Sequence, residues 1–448
     1  MTKLSSEYAD QFPELSLAWQ TSGVNSPEIV WVNDALAQEL GIDVPWLHTP
    51  EGTRWLIGEH LAAGSKPVAQ VYAGHQFGHY SPRLGDGRAL LLGEIRNKNG
   101  DLLDLHLKGS GPTPFSRGGD GYAALGPMLR EAIMGEAMHA LGVKTSRALA
   151  VVKTGRWVAR DGEPFPAAIL TRVASSHIRV GTFEFVRRRG DIDELQKLAE
   201  YALKRHYPER HLKVTQEKVA PEADGPGFAA KISRELLRAV VEAQAELIAS
   251  WMLIGFVHGV INTDNVTIAG ETIDYGPCAM MDYFDPAIVF SSIDHAGRYA
   301  YRNQPGVMQW NMARFAEALL PLLAEEQEQA VSIAEEEIQK FNSIYERVYE
   351  AGLAKKLGDA GTESLETLQT EKPDFTQFFR ELSEKNPIYI PRNHIVQEAI
   401  EAAEDDDFAP LKQLMLVVSD PYTEKPGYER YAQPAPPEAG HFITTCGT

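Results

Sequence analysis

The stretch HGVINTDNVTIAGETIDYGP, residues 258–277, decides how this chain folds. Helical periodicity over 232–256 runs straight into it. Asp264 and Asn265 then precede a short strand candidate, 266–268, and Ala269, Gly270 and Glu271 make a turn. A second short strand, 272–273, delivers Asp274, so the segment predicts a hairpin. The hairpin would set Asn265 and Asp274 side by side at one end. A carboxylate and an amide oxygen facing each other are hard ligands, suited to Mg²⁺ or Mn²⁺ held between phosphates. An Asn/Asp-rich turn with only local hydrogen bonds uses the same residue types. The long helix running into a tight loop and hairpin is what points to a metal.

Working outward, the next informative segment is LHLKGSG, residues 105–111. On a strand, His106 and Lys108 share one face and Leu105 and Leu107 the other. A lysine at the end of a buried strand needs an anion. A nucleotide phosphate and a glutamate on the following helix are the two candidates. Glu131 and Glu136 both lie on that helix, five residues apart. That is about 140° around the axis, so they cannot both face one lysine. Upstream, LGDGRALLLGE (84–94) places Gly85, Gly87 and Arg88 in a turn before a strand, where small residues let backbone N–H groups approach phosphate. A plain hairpin would also use such glycines. Downstream, Gly109, Gly111, Gly118, Gly119 and Gly121 surround Arg117 and Asp120 in a loop longer than structure usually needs. In TRVASSHIRVG (171–181), Arg172 and Arg179 are placed to line a phosphate pocket or to make salt bridges. His75 and His79, in AGHQFGHYSP, have zinc-like spacing, but the Gly-rich setting is poor helix material and no zinc site is expected.

Bulk properties narrow the class. The 448 residues carry 43 Lys and Arg against 62 Asp and Glu, a formal net charge of −19. That balance disfavours nucleic acid and anionic membranes as main partners, without excluding a local basic pocket. Arg187, Arg188 and Arg189 read as a solvated face. The beginning of the chain shows neither a signal-peptide core nor an Arg-rich transit segment, and the near-apolar run 248–261 is too short to span a bilayer. A cytoplasmic location is expected. Two cysteines, Cys278 and Cys446, exclude a disulfide framework.

The chain divides by composition. Residues 1–65 read as an N-terminal extension. Residues 66–175 are strand-rich, with a hairpin over 88–95 and 102–108 and further strands near 151–153, 157–158 and 169–171. One helix interrupts them, from Pro127 at its first position to Gly142 just past its end. Residues 176–420 are mainly helical, with helices over 192–206, 232–256, 312–323 and 330–357, and carry the 258–277 segment. Residues 421–448 form a Pro-rich tail. This is an α+β, bilobed plan with a cleft between a strand-rich and a helical lobe.

Asp-Tyr-Gly at 274–276 resembles the metal-binding Asp-Phe-Gly of protein kinases, and Asn265 matches their catalytic-loop asparagine. The blocks VYAGHQFGHYSPRLGDGRALLLGE, LHLKGSGPTPFSRGGDGYAALGPMLRE, TRVASSHIRVGTFEF, HGVINTDN…IDYGPC and the ending TTCGT together resemble the selenoprotein O family of protein adenylyltransferases. The resemblance covers nearly the whole chain and is densest over 71–285. It implies a protein-kinase-like fold that binds ATP in reversed orientation and transfers AMP to Ser, Thr or Tyr hydroxyls of proteins. UMP transfer from UTP with Mn²⁺ is also attributed to bacterial members. It implies a Lys108–Glu131 ion pair and nucleotide contacts from Gly85, Gly87, Arg88, Asp120 and Gly121. Arg172 and Arg179 would hold the terminal phosphates, Asp264 would be the catalytic base, and Asn265 and Asp274 the metal ligands. It further implies a disulfide between Cys278 and Cys446.

The residues add their own reason to expect chemistry other than phosphate transfer. Aligning the kinase pattern His-Arg-Asp-x-x-x-x-Asn on Asn265 puts His258 on its histidine and Val260 on its catalytic aspartate. Valine cannot accept a proton, and Asp264 is the nearby carboxylate, so a hydroxyl would be activated from a shifted position. The expected function is nucleotide transfer to protein hydroxyls with ATP or UTP and Mg²⁺ or Mn²⁺. The alternatives are a kinase-type phosphotransferase and a non-catalytic nucleotide-binding scaffold that senses redox state through its cysteines.

Overall fold

A computed structural model describes residues 3–216, 226–436 and 442–444. In chain order the strands of its N-terminal part are β1 (Ser16–Ala18), β2 (Glu28–Val32), β3 (Val68–Gln70), β4 (Gly74–Gln76), β5 (His79–Ser81), β6 (Ala89–Arg96), β7 (Leu102–Lys108), β8 (Ala123–Ala124), β9 (Arg147–Arg160) and β10 (Glu163–Ala174). One antiparallel sheet runs β1-β3-β6-β7-β10-β9-β2, with β8 paired to β10; β4 and β5 pair with each other. Residues of the first 65 therefore supply both edge strands of the sheet.

The β6–β7 hairpin forms where the sequence predicts it. Asn97 closes the turn by accepting the N–H groups of Asn99 and Asp101 on its side-chain oxygen. Both strands are buried on both faces. Leu92, Ile95, Leu105 and Leu107 pack on one side with Trp55, Leu56 and Ile57. On the other side the Leu125–Ala140 helix lays Leu129, Ile133 and Ala137 against Ala148, Val151, Ala168 and Leu170 of β9 and β10. That helix begins two residues before the expected Pro127, which sits third. The first-turn N–H groups have no intrahelical acceptor, so proline costs nothing there.

The second part is helical. The helix at Ile192–His206 has the expected bounds, and those at Pro226–Ile254, Gln304–Leu323 and Gln327–Leu357 start earlier than their periodicity suggested. Phe256, Met312, Phe315 and Leu319 are among the apolar side chains that join these helices in one core. Among the described residues no helix is long and apolar enough to cross a membrane.

The hairpin expected over 266–273 is corrected by the structure. It survives as a single bridge, Val266↔Thr272. Its backbone groups are claimed by neighbours instead: Val180 N–H donates to Val266, Ile268 N–H to Ile178, and Thr272 N–H to Lys144. The segment is thus stitched to the strand-rich part on one side and to the start of the Val180–Arg189 helix on the other, and this sets where Asp264 and Asp274 point.

Candidate active site

The site is built on the sheet. Antiparallel register puts Lys108 of β7 opposite Leu170 of β10, and Arg172 opposite His106. Alternation then leaves Lys108 and Arg172 on the same face. Glu131, on the Leu125–Ala140 helix, meets both. Lys108 Nζ lies 2.5 Å from Glu131 Oε2, and Arg172 Nη1 donates to Glu131 Oε1 at 2.9 Å. Glu136, on another face of the helix, binds Arg147 through both carboxylate oxygens, as the 140° separation requires.

Asp274 enters the same box. Its Oδ1 accepts from Lys108 at 3.1 Å and from Arg172 at 2.7 Å, while Arg179 lies 3.6 Å from Oδ2. Its φ of +59° is left-handed, a conformation that asparagine and aspartate tolerate better than other L-residues. Arg179 is 1% exposed, stacks over Tyr72 and reaches towards Asp86 at 3.8 Å. Three cations and three carboxylates thus form a closed network. Burial works to raise the Asp274 carboxyl, but Lys108, Arg172 and Arg179 outweigh it and hold it well below the usual range. The same contest, won by His106 and Arg179, holds Asp86 at about 2.

Asp264 is in the opposite situation. It is 8% exposed, has no salt bridge, and its Oδ1 is buried without a hydrogen-bond partner among the described residues. Gln76 Nε2 donates to Oδ2 at 3.1 Å. Burial pushes its carboxyl up to about 6, with the Gln76 hydrogen bond only partly offsetting it. Next to it, Asn265 donates its amide nitrogen to the Val260 carbonyl at 3.0 Å, which leaves the amide oxygen for a ligand.

Lys108, Arg172, Arg179, Asp86, Asp264, Asn265 and Asp274 line one cleft of about 520 Å³, and Glu131 acts on it through Lys108 and Arg172. Gly85, Gly87, Arg88, Asp120 and Gly121 line it as well, so the structure brings together every nucleotide and metal candidate named from the sequence. Gly85 is required by geometry. Its φ is +68°, and a Cβ there would come within 2.4 Å of the Phe115 ring. Asp120 is held by Arg160 through two hydrogen bonds of 2.9 and 3.0 Å. Val260, which the sequence pattern sets against the kinase catalytic aspartate, lines the cleft. Cys278 is fully buried, and burial pushes its thiol up to about 12. Cys446 lies outside the described residues.

Asp86, Tyr72 and Gln76 line the cleft without having been singled out in the sequence, and His106, read there only for its strand face, meets Asp86 and Arg172. Asp86 sits between the two glycines, where an acid beside a predicted phosphate turn was itself a signal. Gln76 lies in a segment read for its histidine spacing and for its family likeness, neither of which singles out the glutamine. Among the described residues no cluster of three or more His, Cys, Asp or Glu side chains could hold a metal by itself. Two protein oxygens, from Asp274 and Asn265, fit an ion that takes its remaining ligands from phosphates and water.

Comparison with known proteins agrees with the resemblance. A family model described as "Protein adenylyltransferase SelO" matches residues 2–385. A protein nucleotidyltransferase YdiU from Mycolicibacterium smegmatis is 48% identical over 99% of this chain and 98% of its own. One from Pseudarthrobacter chlorophenolicus is also 48% identical, over 99% and 98%. One from Cereibacter sphaeroides is 46% identical over 100% and 99%. Among solved structures, ROP2 from Toxoplasma gondii, described as having a protein-kinase fold and no enzymatic activity, overlaps 77% of this chain and 96% of its own at 11% identity and a TM-score of 0.29. With a family model spanning most of its length and relatives alike from end to end, the chain belongs to the SelO family.

Proposed function

We propose that this chain transfers AMP from ATP, or UMP from UTP, to Ser, Thr or Tyr hydroxyls of proteins. The observation that carries this reading is the separation of the cleft's carboxylates into two classes. Asp86, Asp120 and Asp274 are each paired with an arginine or lysine and held low. Asp264 makes no salt bridge among the described residues, and burial pushes its carboxyl up to about 6 against the more distant pull of Arg179. Environments that push neighbouring carboxyls apart assign them different tasks: the paired ones bind charge, and the unpaired one can take a proton. Asp264 accepts the proton of the acceptor hydroxyl while that oxygen bonds to the α-phosphorus. The bond from the α-phosphorus to the bridging oxygen breaks, and pyrophosphate leaves. Lys108, Arg172 and Arg179, now bound to carboxylates, have a second anion to serve when phosphates enter, and cations aimed at developing phosphate charge supply most of such catalysis. Mg²⁺ or Mn²⁺ would be held by Asn265 and Asp274 and would neutralise phosphate charge there. The names of the relatives and of the family support transfer of a nucleotide to protein.

The test is incubation with an acceptor protein and ATP or UTP labelled at the α or the γ position. Label arriving from α but not γ is expected. Label from γ but not α would replace this reading with a phosphotransferase. Transfer unchanged in Asp264→Ala would remove Asp264 as the base.

A further inference from the structure

The segment AGHQFGHYSP folds into the β4–β5 hairpin, against the loop that carries Asp264. We propose that the β4–β5 hairpin is a clamp that positions Asp264, with Gln76 and Thr263 as its positioning residues. This rests on the reading of Asp264 as the base.

Three consecutive hairpin residues bond to three consecutive residues of the catalytic loop. His75 N–H donates to Thr263 Oγ1 at 2.6 Å, Gln76 Nε2 to Asp264 Oδ2 at 3.1 Å, and Phe77 N–H to Asn262 Oδ1 at 3.1 Å. A third element locks the pair. Glu184, on the Val180–Arg189 helix, takes the Thr263 hydroxyl on Oε2 at 2.6 Å and His75 Nδ1 on Oε1. The Thr263 hydroxyl therefore accepts from the hairpin and donates to the helix, and a methyl in its place would lose both.

The fit is steric as well. A Cβ on Gly74 would fall 2.6 Å from Asp264 Oδ1, so the hairpin backbone lies directly against the carboxylate. That contact seals Oδ1 and leaves Oδ2 as the oxygen that can meet a substrate hydroxyl. Among the described residues no side chain other than Gln76 hydrogen-bonds the carboxylate, so Gln76 fixes its rotation from the hairpin side. The turn carries strain in keeping with this. Phe77 and Gly78 have φ of +51° and +85°, the two left-handed positions of a tight hairpin turn. Asparagine or glycine is the usual first residue there, and phenylalanine adopts it only under strain. Its N–H bond to Asn262 and its ring contact with Tyr299, at 5.1 Å, hold it in place. Strain kept at a catalytic loop fits a positioning device.

The experiment uses the full chain, α-labelled ATP and denatured casein as acceptor, with kcat and KM for ATP measured separately and ATP binding followed by calorimetry. Misplacing a reacting group by about 1 Å can cost about 100-fold, so Gln76→Leu and Thr263→Val are expected to lower kcat by about 10- to 100-fold, with KM and ATP affinity within about twofold. Thr263→Ser, which keeps the hydroxyl, should recover kcat to within about threefold of the parent. Gln76→Asn, polar but too short to reach Oδ2, should behave as the leucine variant and serves if that variant folds poorly. The clamp is overturned if Gln76→Leu and Gln76→Asn keep kcat within about twofold, or if Thr263→Ser is as slow as Thr263→Val. Absence of α-label on casein with the parent protein overturns the reading of the reaction together with the clamp. Normal labelling by the parent with unaffected variants overturns the clamp alone.

Discussion

Replacing Glu131 by glutamine tests the charge network at its centre. The change keeps shape and removes one negative charge from a site only 4% exposed. Lys108 and Arg172 then lose their ion pairs at 2.5 and 2.9 Å, and Asp274 is left as the carboxylate they share, with Arg172 Nε still on His106. The glutamine amide also turns a donor towards one of two cations. Removing one partner of a buried ion pair typically costs about 3–5 kcal/mol. Asp274 still accepts from both cations, so the lower end applies, about 3 kcal/mol. The sign agrees with the carboxyl itself. Burial works to raise it, yet Lys108 and Arg172 hold it below its ordinary value, so the charged form stabilises the fold above the normal carboxylate range and that stability is lost as pH falls. For 448 residues unfolding as one unit, the entropy at the midpoint is about 0.9 kcal/mol per kelvin, so Tm should drop by about 3 °C at neutral pH. Thermal unfolding followed by circular dichroism measures this. A Glu131→Gln, Lys108→Met double variant should lose less than the sum of its parts, because the lysine charge no longer needs a partner. A drop below about 1 °C, or strict additivity, would show that solvent screens the network and that the burial argument is wrong.

Further outcomes follow from the same geometry. Asp274→Asn keeps the left-handed φ of +59° but takes a carboxylate from Lys108, Arg172 and Arg179, so it should lower Tm by about 3 °C, as Glu131→Gln does, while nucleotide transfer falls by about 100-fold or more; labelling assays beside thermal melts check it. Gly85→Ala forces a Cβ to within 2.4 Å of the Phe115 ring at a left-handed φ, and should weaken ATP binding about tenfold or more by calorimetry. His106 and His177 stack at 4.0 Å, both fully buried, and burial lowers both imidazoles from 6.5. The folded chain therefore refuses protons that the unfolded chain takes. Stability should be full above pH 6.5 and decline below it by at most about 1.4 kcal/mol per pH unit for each imidazole. Urea melts at several pH values measure the slope, and His177→Gln should reduce it by one proton's worth.

Much of the site was legible because its residues sit in short, chemically biased segments. Alternation in LHLK put Lys108 on one face of a strand, helical angle showed that Glu131 and Glu136 could not both meet it, and the family resemblance pointed to Glu131. Arg172 was legible as a cation near phosphate but not as a ligand of Glu131 and Asp274. That depends on the register of β10 against β7, which no local pattern encodes. Gln76 was invisible for a related reason. Its partner lies 188 residues away, and a glutamine in a glycine-rich turn carries no distinguishing pattern of its own.

By itself the sequence determined the α+β plan, the β6–β7 hairpin, the helix bearing Glu131, and the valine where a kinase keeps its aspartate. These rest on periodicity, turn chemistry and residue identity, which are local. The tertiary structure alone decided that the segment around Asp264 is stitched to three neighbours instead of forming its own hairpin. It also decided which carboxylates meet cations and which one is left without. Burial and pairing are properties of what surrounds a side chain, and for Asp264 those surroundings come from segments far apart in the chain.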